Sequence, residues 1–403
     1  RSVTLTAKDK ICLCETRECT PEACPYANGY YARIKGALWD VLDVPCLTAE
    51  TLQEYAERHT VCPFELGLDS SLWSDVIIGD YNYLFDPVVH LVRFFESAGD
   101  YIFLVDEAHN LPGRAREMHS AALTKTSFYE AKKLLGKGKS SLKNALTKVN
   151  DVFIEWRHRA EEETAARDGR FGKTFFLKER SEEFDHLLNR LCEPLEAWLD
   201  DHREPDETHT ALLQLYFDVR AWLRVADTFD DHFVLQITAS GSEVRAAQLC
   251  LDPSAFLADS FALGRAAVLF SATLAPASYY KDLCGVPEAR AVALRSPFPA
   301  GNQGLFCIGN VSTRYKDRDA SLAIVAESLA TMVRARCGNY LAFFPSYAYM
   351  EQAYAQFKEH CPEINCIKQE NAMDEQQKAA FLAQFVPGPS QPLLGFAVMG
   401  GVF

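Results

Sequence analysis

The run Tyr101-Ile102-Phe103-Leu104-Val105 ends directly on two acids, Asp106 and Glu107. Five consecutive apolar residues closed off by charge are too short for a core helix, and they read as a strand buried on both faces, as in a parallel sheet. Three further runs have the same form: Val76-Ile77-Ile78-Gly79, Ala266-Ala267-Val268-Leu269-Phe270 and Tyr340-Leu341-Ala342-Phe343-Phe344. Polar residues or a turn follow each of them. The pattern predicts an α/β fold whose working residues sit at the carboxyl ends of its strands.

Between about residues 113 and 232 the period changes. Ser181 to Leu199 and Thr210 to Leu223 carry Leu, Trp and Phe three and four apart, which predicts a helical insertion. A strand pair, Phe233 to Ala239 and Glu243 to Leu251 joined by Ser240-Gly241, is then expected to return the chain to the sheet. The start, Ser2-Val3-Thr4-Leu5-Thr6, looks like the tail of a strand, and the end follows Gly400-Gly401 without a closing element. The expectation is an internal piece of a longer protein.

With 48% hydrophobic and 24% charged residues, the 403-residue chain has material for several cores. No long uncharged apolar stretch and no leader-like start is present, so no membrane span and a cytosolic location are expected. Six of the 13 cysteines, Cys12, Cys14, Cys19, Cys24, Cys46 and Cys62, fall in the first 62 residues. Scattered single cysteines are ordinary small hydrophobes, but a cluster in a reducing compartment points to metal ligation. A net charge of -14 argues against coating nucleic acid with the whole surface. A local track remains open: lysines 125, 132, 133, 137, 139, 143 and 148 face only Glu130 within that stretch. A solvated helix face explains the same run.

Asp106-Glu107-Ala108-His109 has the chemistry a nucleoside triphosphatase needs at a strand end. One acid holds magnesium through its water shell and the other polarises the attacking water. Ser271-Ala272-Thr273-Leu274 follows a second apolar strand, where small hydroxyls can contact the acids and relay nucleotide state. Taken singly, Asp106 or Ser271 also fits an ordinary helix cap.

Taken in order, Asp80-Tyr81-Asn82-Tyr83-Leu84, the DEAH box continued as Asp106 to Leu111, Ser271 to Leu274, Ser296-Pro297-Phe298-Pro299 and Gly338 to Tyr347 resemble the motifs of XPD/DinG-type superfamily 2 helicases. Phe396 to Phe403 looks like the opening of the family's fifth motif. The resemblance covers nearly all of the chain and is weakest in the helical insertion. It implies two RecA-like P-loop motor domains, the first in residues 1–10, 63–112 and 233–282, the second, incomplete, in 283–403. An iron-sulfur domain at 11–62 and an α-helical arch at 113–232 would interrupt the first. It further implies ATP-dependent DNA unwinding with 5' to 3' movement on a single strand, by a monomeric motor acting on single-stranded and forked DNA. Asp106, Glu107, His109, Ser271 and Thr273 would be catalytic, with ATP and Mg2+ at Asp106 and Glu107. No G-x-x-x-x-G-K-[ST] loop occurs, so these residues alone are expected to be inactive.

The resemblance also gives the cysteines a role. Cys12, Cys19, Cys24-Pro25-Tyr26 and Cys62-Pro63-Phe64 match the ligand pattern of a 4Fe-4S cluster, with Cys14 and Cys46 as alternatives. On thiolate chemistry alone, tetrahedral zinc fits equally. Tyr26, Tyr30 and Tyr31 are candidate stacking platforms for bases, as are, with core packing as the competing role, Tyr81 and Tyr83. Lys132, Lys133, Ser346 and Tyr347 are further candidates for DNA contact. The rival reading is a non-catalytic, zinc-stapled nucleic-acid-binding or scaffold protein.

Overall fold

The computed structural model describes residues 1–138, 140–166, 173–204, 206–312 and 314–401. The chain divides into two units, Arg1–Val292 and Ala293–Phe403. Lys139, Val402 and Phe403, which belong to the lysine run and the final motif, lie outside the described residues. Among the described residues no helix is long and apolar enough to cross a membrane.

In the first unit, strands β1 (Ser2–Thr4), β2 (Cys46–Leu47) and β3 (Val76–Ile78) form a parallel sheet in the order β2-β1-β3. Between them run the helices Lys8–Ile11, Tyr30–Val41, Ala49–His59 and Pro63–Ser71. Ile11, Ile34, Leu52 and Leu66 from these helices close over Val3 and Leu5, so the cysteine-bearing segment shares a core with the sheet. The third helix starts at Thr48, whose hydroxyl accepts from Thr51 N at 3.3 Å. The fourth starts at Pro63, where a missing N–H costs nothing. Strand β2 lies inside the stretch 11–62 expected to be a separate insertion, and it pairs with Ser2 and Val3.

Strand β4 (Ile102–Val105) ends on the two acids. The chain then leaves for a second layer, built from β5 (Ala121–Thr124), β6 (Thr174–Leu177), β7 (Phe233–Ser240) and β8 (Glu243–Cys250) in the antiparallel order β5-β8-β7-β6. Helices Lys125–Leu134, Ser141–Ala166, Glu182–Asp201 and Glu207–Thr228 supply the rest of this layer. Leu235, Ile237 and Ala239 of β7 and Val244 and Ala246 of β8 share a core with Phe128, Phe153, Phe184 and Trp222. Phe184 meets both Phe153 and Trp222 edge-on with centroids 5.4 Å apart. Each such pair adds about 1 kcal/mol beyond its buried area.

This corrects the expected path. The strand pair at 233–250 does not rejoin the acid-bearing sheet; it joins an antiparallel sheet of its own with β5 and β6. The reason lies in its alternation: Phe233, Leu235, Ile237 and Ala239 are buried while the residues between them are only half-buried, the signature of a sheet covered on one face. The chain returns only with β9 (Ala266–Leu269), parallel to β4, with Val105 opposite Leu269. Phe103, Val105 and Leu269 pack inward with Leu111, Leu257 and Phe261. Ile102, Leu104 and Val268 on the other face are exposed, as is all of β3, although runs of this kind were expected to be buried.

In the second unit, β10 (Asn339–Phe344), β11 (Asn365–Lys368) and β12 (Leu393–Val398) form a parallel sheet in the order β10-β12-β11. The central strand β12 is buried throughout. Phe396 stacks on Phe344 and meets Phe357 of the helix Tyr347–His360. The Ser296-Pro297-Phe298-Pro299 motif lies in a stretch without helix or strand, with Phe298 exposed.

Candidate functional site

Because β4 and β9 are register-matched neighbours, Asp106-Glu107 and Ser271-Ala272-Thr273 leave the same sheet edge. Phe270 N donates to Val105 O at 3.0 Å and Ala108 N to Phe270 O at 3.1 Å, which carries the pairing one step past the strands. Between these two bonds the backbone turns sharply. Glu107 has φ +45°, a left-handed conformation costing a residue with a Cβ about 1–2 kcal/mol. Asp106 Oδ1 accepts from Glu107 N at 2.7 Å and fixes the turn.

The turn aims the side chains across the strand gap. Ser271 Oγ donates to Glu107 Oε2 at 3.2 Å, and His109 Nδ1 lies 2.7 Å from Ser271 Oγ and 3.1 Å from Glu107 Oε2. With the proton on Nδ1, His109 donates to the Ser271 hydroxyl, which in turn donates a hydrogen bond to the Glu107 carboxylate. Thr273 N also donates to Ser271 Oγ, at 3.1 Å, and the two hydroxyl oxygens are 3.4 Å apart. All five residues expected at this site are therefore brought together. One residue had no role assigned at the acids: the Tyr81 hydroxyl donates to the backbone carbonyls of Asp106 and Glu107. The sequence marked Tyr81 as part of the motif Asp80 to Leu84 and as a stacking or core residue, without this contact.

The thiols are arranged differently from the expected set. Cys14 Sγ and Cys24 Sγ are 3.8 Å apart, and the Cys14 thiol is pushed up to about 11, first by burial and then by its neighbours Cys24 and Cys12. Cys19 is exposed, and Cys46 is exposed on edge strand β2. Burial raises Cys62, which precedes the helix Pro63–Ser71. Cys14, an alternative in the sequence reading, thus stands beside Cys24 where Cys19 was expected. Among the described residues no three Cys, His, Asp or Glu side chains form a group able to hold a metal ion. The thiols as placed fit half of a four-ligand set.

Tyr30 is a core residue and not a stacking platform: it is 8% exposed, and its hydroxyl donates to Asp69 Oδ2 at 2.8 Å. Neighbouring Tyr31 is 89% exposed, and Tyr26 is half-buried. In the lysine run, Lys125 Nζ donates to Ser242 O at 3.2 Å and Lys143 Nζ to Gly136 O at 2.7 Å. Lys133, Lys137 and Lys148 are exposed and Lys132 is half-buried. In the second unit Ser346 caps the helix Tyr347–His360, accepting from Tyr349 N at 3.4 Å. The Tyr347 hydroxyl accepts from Gln369 Nε2 at 2.8 Å, while Gln369 Oε1 accepts from Val398 N at 2.9 Å. Fully buried Gln369 therefore links the two motif segments of this unit, and nothing in its sequence surroundings marks it.

The DEAD_2 family profile matches residues 2–128, which contain the cysteines and the acids, and the helicase C-terminal domain profile matches residues 329–403. The chain is 23% identical over 383 residues to the general transcription and DNA repair factor IIH helicase subunit XPD of Schizosaccharomyces pombe, covering 77% of this chain and 49% of that protein. It is 22% identical over 421 residues to the corresponding XPD/RAD3 subunit of Saccharomyces cerevisiae, covering 85% and 53%. A solved structure described as XPD_Helicase aligns with 100% of this chain and 68% of its own, at a TM-score of 0.47 and 16% identity. The chain spans about half the length of the curated relatives it matches. The two profile matches, the full-length helicase relatives and the motif order along both units agree, and the chain belongs to the XPD/DinG-type superfamily 2 helicases.

Proposed function

We propose that the protein carrying these residues is a cytoplasmic ATP-dependent DNA helicase that moves 5' to 3' on a single strand and opens forked DNA in repair or replication. The observation that carries this reading is the bonded chain His109–Ser271–Glu107, assembled from two strand ends far apart in sequence. A carboxylate exposed on one side and held by a hydroxyl and an imidazole on the other is set to orient a water while sensing its neighbours. Magnesium bound with the nucleotide would neutralise phosphate charge, and Asp106 would hold its water shell. Glu107 orients the attacking water. His109, Ser271 and Thr273 couple the state of that carboxylate to the rest of the motor.

The boundaries proposed for the motor parts remain 1–10, 63–112 and the returning strand for the first, and 283–403 for the second. The layer at 113–250 is proposed as the arch, with Lys132, Lys133 and Lys137 facing the DNA path. Cys12, Cys24 and Cys62, with Cys14 or Cys19, are proposed to hold an iron-sulfur cluster, supported by the family resemblance and by the Cys14–Cys24 approach. Measuring ATP hydrolysis and strand displacement by the longer protein, with and without Glu107→Gln, tests the reading. Retained hydrolysis in the variant would remove its basis.

A further inference from the structure

We propose that the Tyr81 hydroxyl is a positioning group for catalysis, clamping the backbone carbonyls of Asp106 and Glu107 so that both carboxylates stay aimed at the site. This rests on the helicase reading and deepens it.

Tyr81 is well placed to be a fixed point. It follows β3 and opens the one-turn helix Asn82–Phe85, with Asp80 Oδ1 accepting from Asn82 N at 3.1 Å. Its ring meets Phe85 edge-on with centroids 6.4 Å apart, and Phe85 in turn meets Phe261 at 5.4 Å. The ring is thus anchored in the core beneath β4 and β9, and only the hydroxyl reaches the turn.

The turn needs such an anchor. Glu107 holds a left-handed backbone conformation that its Cβ disfavours, and strain of this kind persists only where the surroundings over-determine it. The Tyr81 O–H shares its proton between the Asp106 and Glu107 carbonyls, the second at 3.0 Å, tying both peptide groups to the core. It works beside the Asp106 side chain on Glu107 N, the bond from Asn110 N to Glu107 O at 2.9 Å and the bonds to Phe270 and Ser271 that link the turn to the returning strand. Asp106 has a second duty as an acid of the site, so a neutral hydroxyl is the steadier clamp. Burial and the adjoining carboxylates of Asp106, Glu107 and Asp80 all push the phenol up, against a smaller opposing effect of Arg114, which keeps it a donor.

The test is steady-state ATP hydrolysis by the full-length protein with Tyr81→Phe, alongside Glu107→Gln. Removing the oxygen keeps the ring, so the KM for ATP, the affinity for single-stranded DNA and the Tm should stay close to wild type. By contrast kcat should fall about tenfold or more, as expected when reacting groups are misaimed. A second protein carries 3,5-difluorotyrosine at position 81, which preserves shape but ionises at lower pH. Its kcat should decline at lower pH than wild type, a change that a purely structural ring would not cause. Wild-type kcat in Tyr81→Phe with Glu107→Gln inactive would overturn the clamp and leave the helicase reading standing. Wild-type hydrolysis in both would overturn both. If Tyr81→Phe does not fold, the fluorinated protein decides: an unshifted profile rejects the clamp.

Discussion

Ser271 Oγ donates to Glu107 Oε2 over 3.2 Å although the two residues lie 164 positions apart. Everything between them, including the whole antiparallel layer, is a detour that the fold closes by pairing β9 with β4. The hydroxyl also accepts from Thr273 N and, with the proton on Nδ1, from His109, so one side-chain atom bridges side chains of the acid segment and the segment after β9. Ser271→Ala should therefore act on coupling more than on nucleotide binding. DNA-stimulated hydrolysis is expected to fall about tenfold, the loss of one hydrogen bond to a charged group, with the KM for ATP little changed. Steady-state kinetics with and without single-stranded DNA measures this.

The thiol arrangement makes a prediction that separates two ligand sets. Anaerobically purified protein should contain iron and sulfide, and Cys24→Ser and Cys62→Ser should lose both while destabilising the surrounding helices. Cys14→Ser should cost more iron than Cys19→Ser, since Cys14 lies 3.8 Å from Cys24 whereas Cys19 is exposed. Cys46→Ser should retain it. Metal and sulfide analysis of the five variants decides, and stoichiometric zinc without iron would contradict the cluster.

Trp222 and Asp185 make the stability prediction. Trp222 Nε1 donates to Asp185 Oδ1 at 2.8 Å in the core of the antiparallel layer, while among the described residues Asp185 Oδ2 has only Arg180 Nε, 4.0 Å away. Burial raises the Asp185 carboxyl, outweighing the lowering by Trp222 and Arg180. A carboxyl raised on folding holds its proton more tightly in the native state, so its stabilising contribution is present at low pH and is lost as pH rises through the folded value. Asp185→Asn removes that loss. The Tm of Asp185→Asn relative to wild type should therefore increase from acid to neutral pH, as thermal melts across that range would show. Trp222→Phe, which strips the buried carboxylate of its donor, should cost about 2–3 kcal/mol at neutral pH by denaturant unfolding.

The acid-bearing strand was legible because its signal is local. Five apolar residues before Asp106 sufficed, and the observed strand differs by one residue at its start. The convergence of Glu107, His109, Ser271 and Thr273 was legible only as motif order, since no local pattern states that β9 will lie beside β4. Where partner choice was the question, local reading failed. The strands at 233–250 alternate clearly, but which sheet they join depends on β5 and β6, four-residue strands embedded among helices and too short to announce themselves. Cys14 and Cys19 could not be ranked because residues 12–29 are turns and bends whose path no periodicity fixes. Tyr30 and Tyr31 show the same limit, since adjacent aromatic residues at a helix start differ only in which face the core takes. Tyr81 was marked by its motif but not for its contact, and Gln369 was not marked at all, because both act on backbone groups of distant segments.

The rate of ATP hydrolysis by the full-length protein carrying Glu107→Gln, measured with a forked DNA beside the unmodified protein, tests the role of the acid pair most directly. The substitution keeps the size and hydrogen-bonding reach of the side chain but removes the charge that orients the attacking water, so its cost falls on the chemical step. Hydrolysis and strand displacement should drop by about a hundredfold or more, with ATP and DNA affinities retained. Wild-type hydrolysis in Glu107→Gln would contradict the account, and the non-catalytic scaffold reading would take its place.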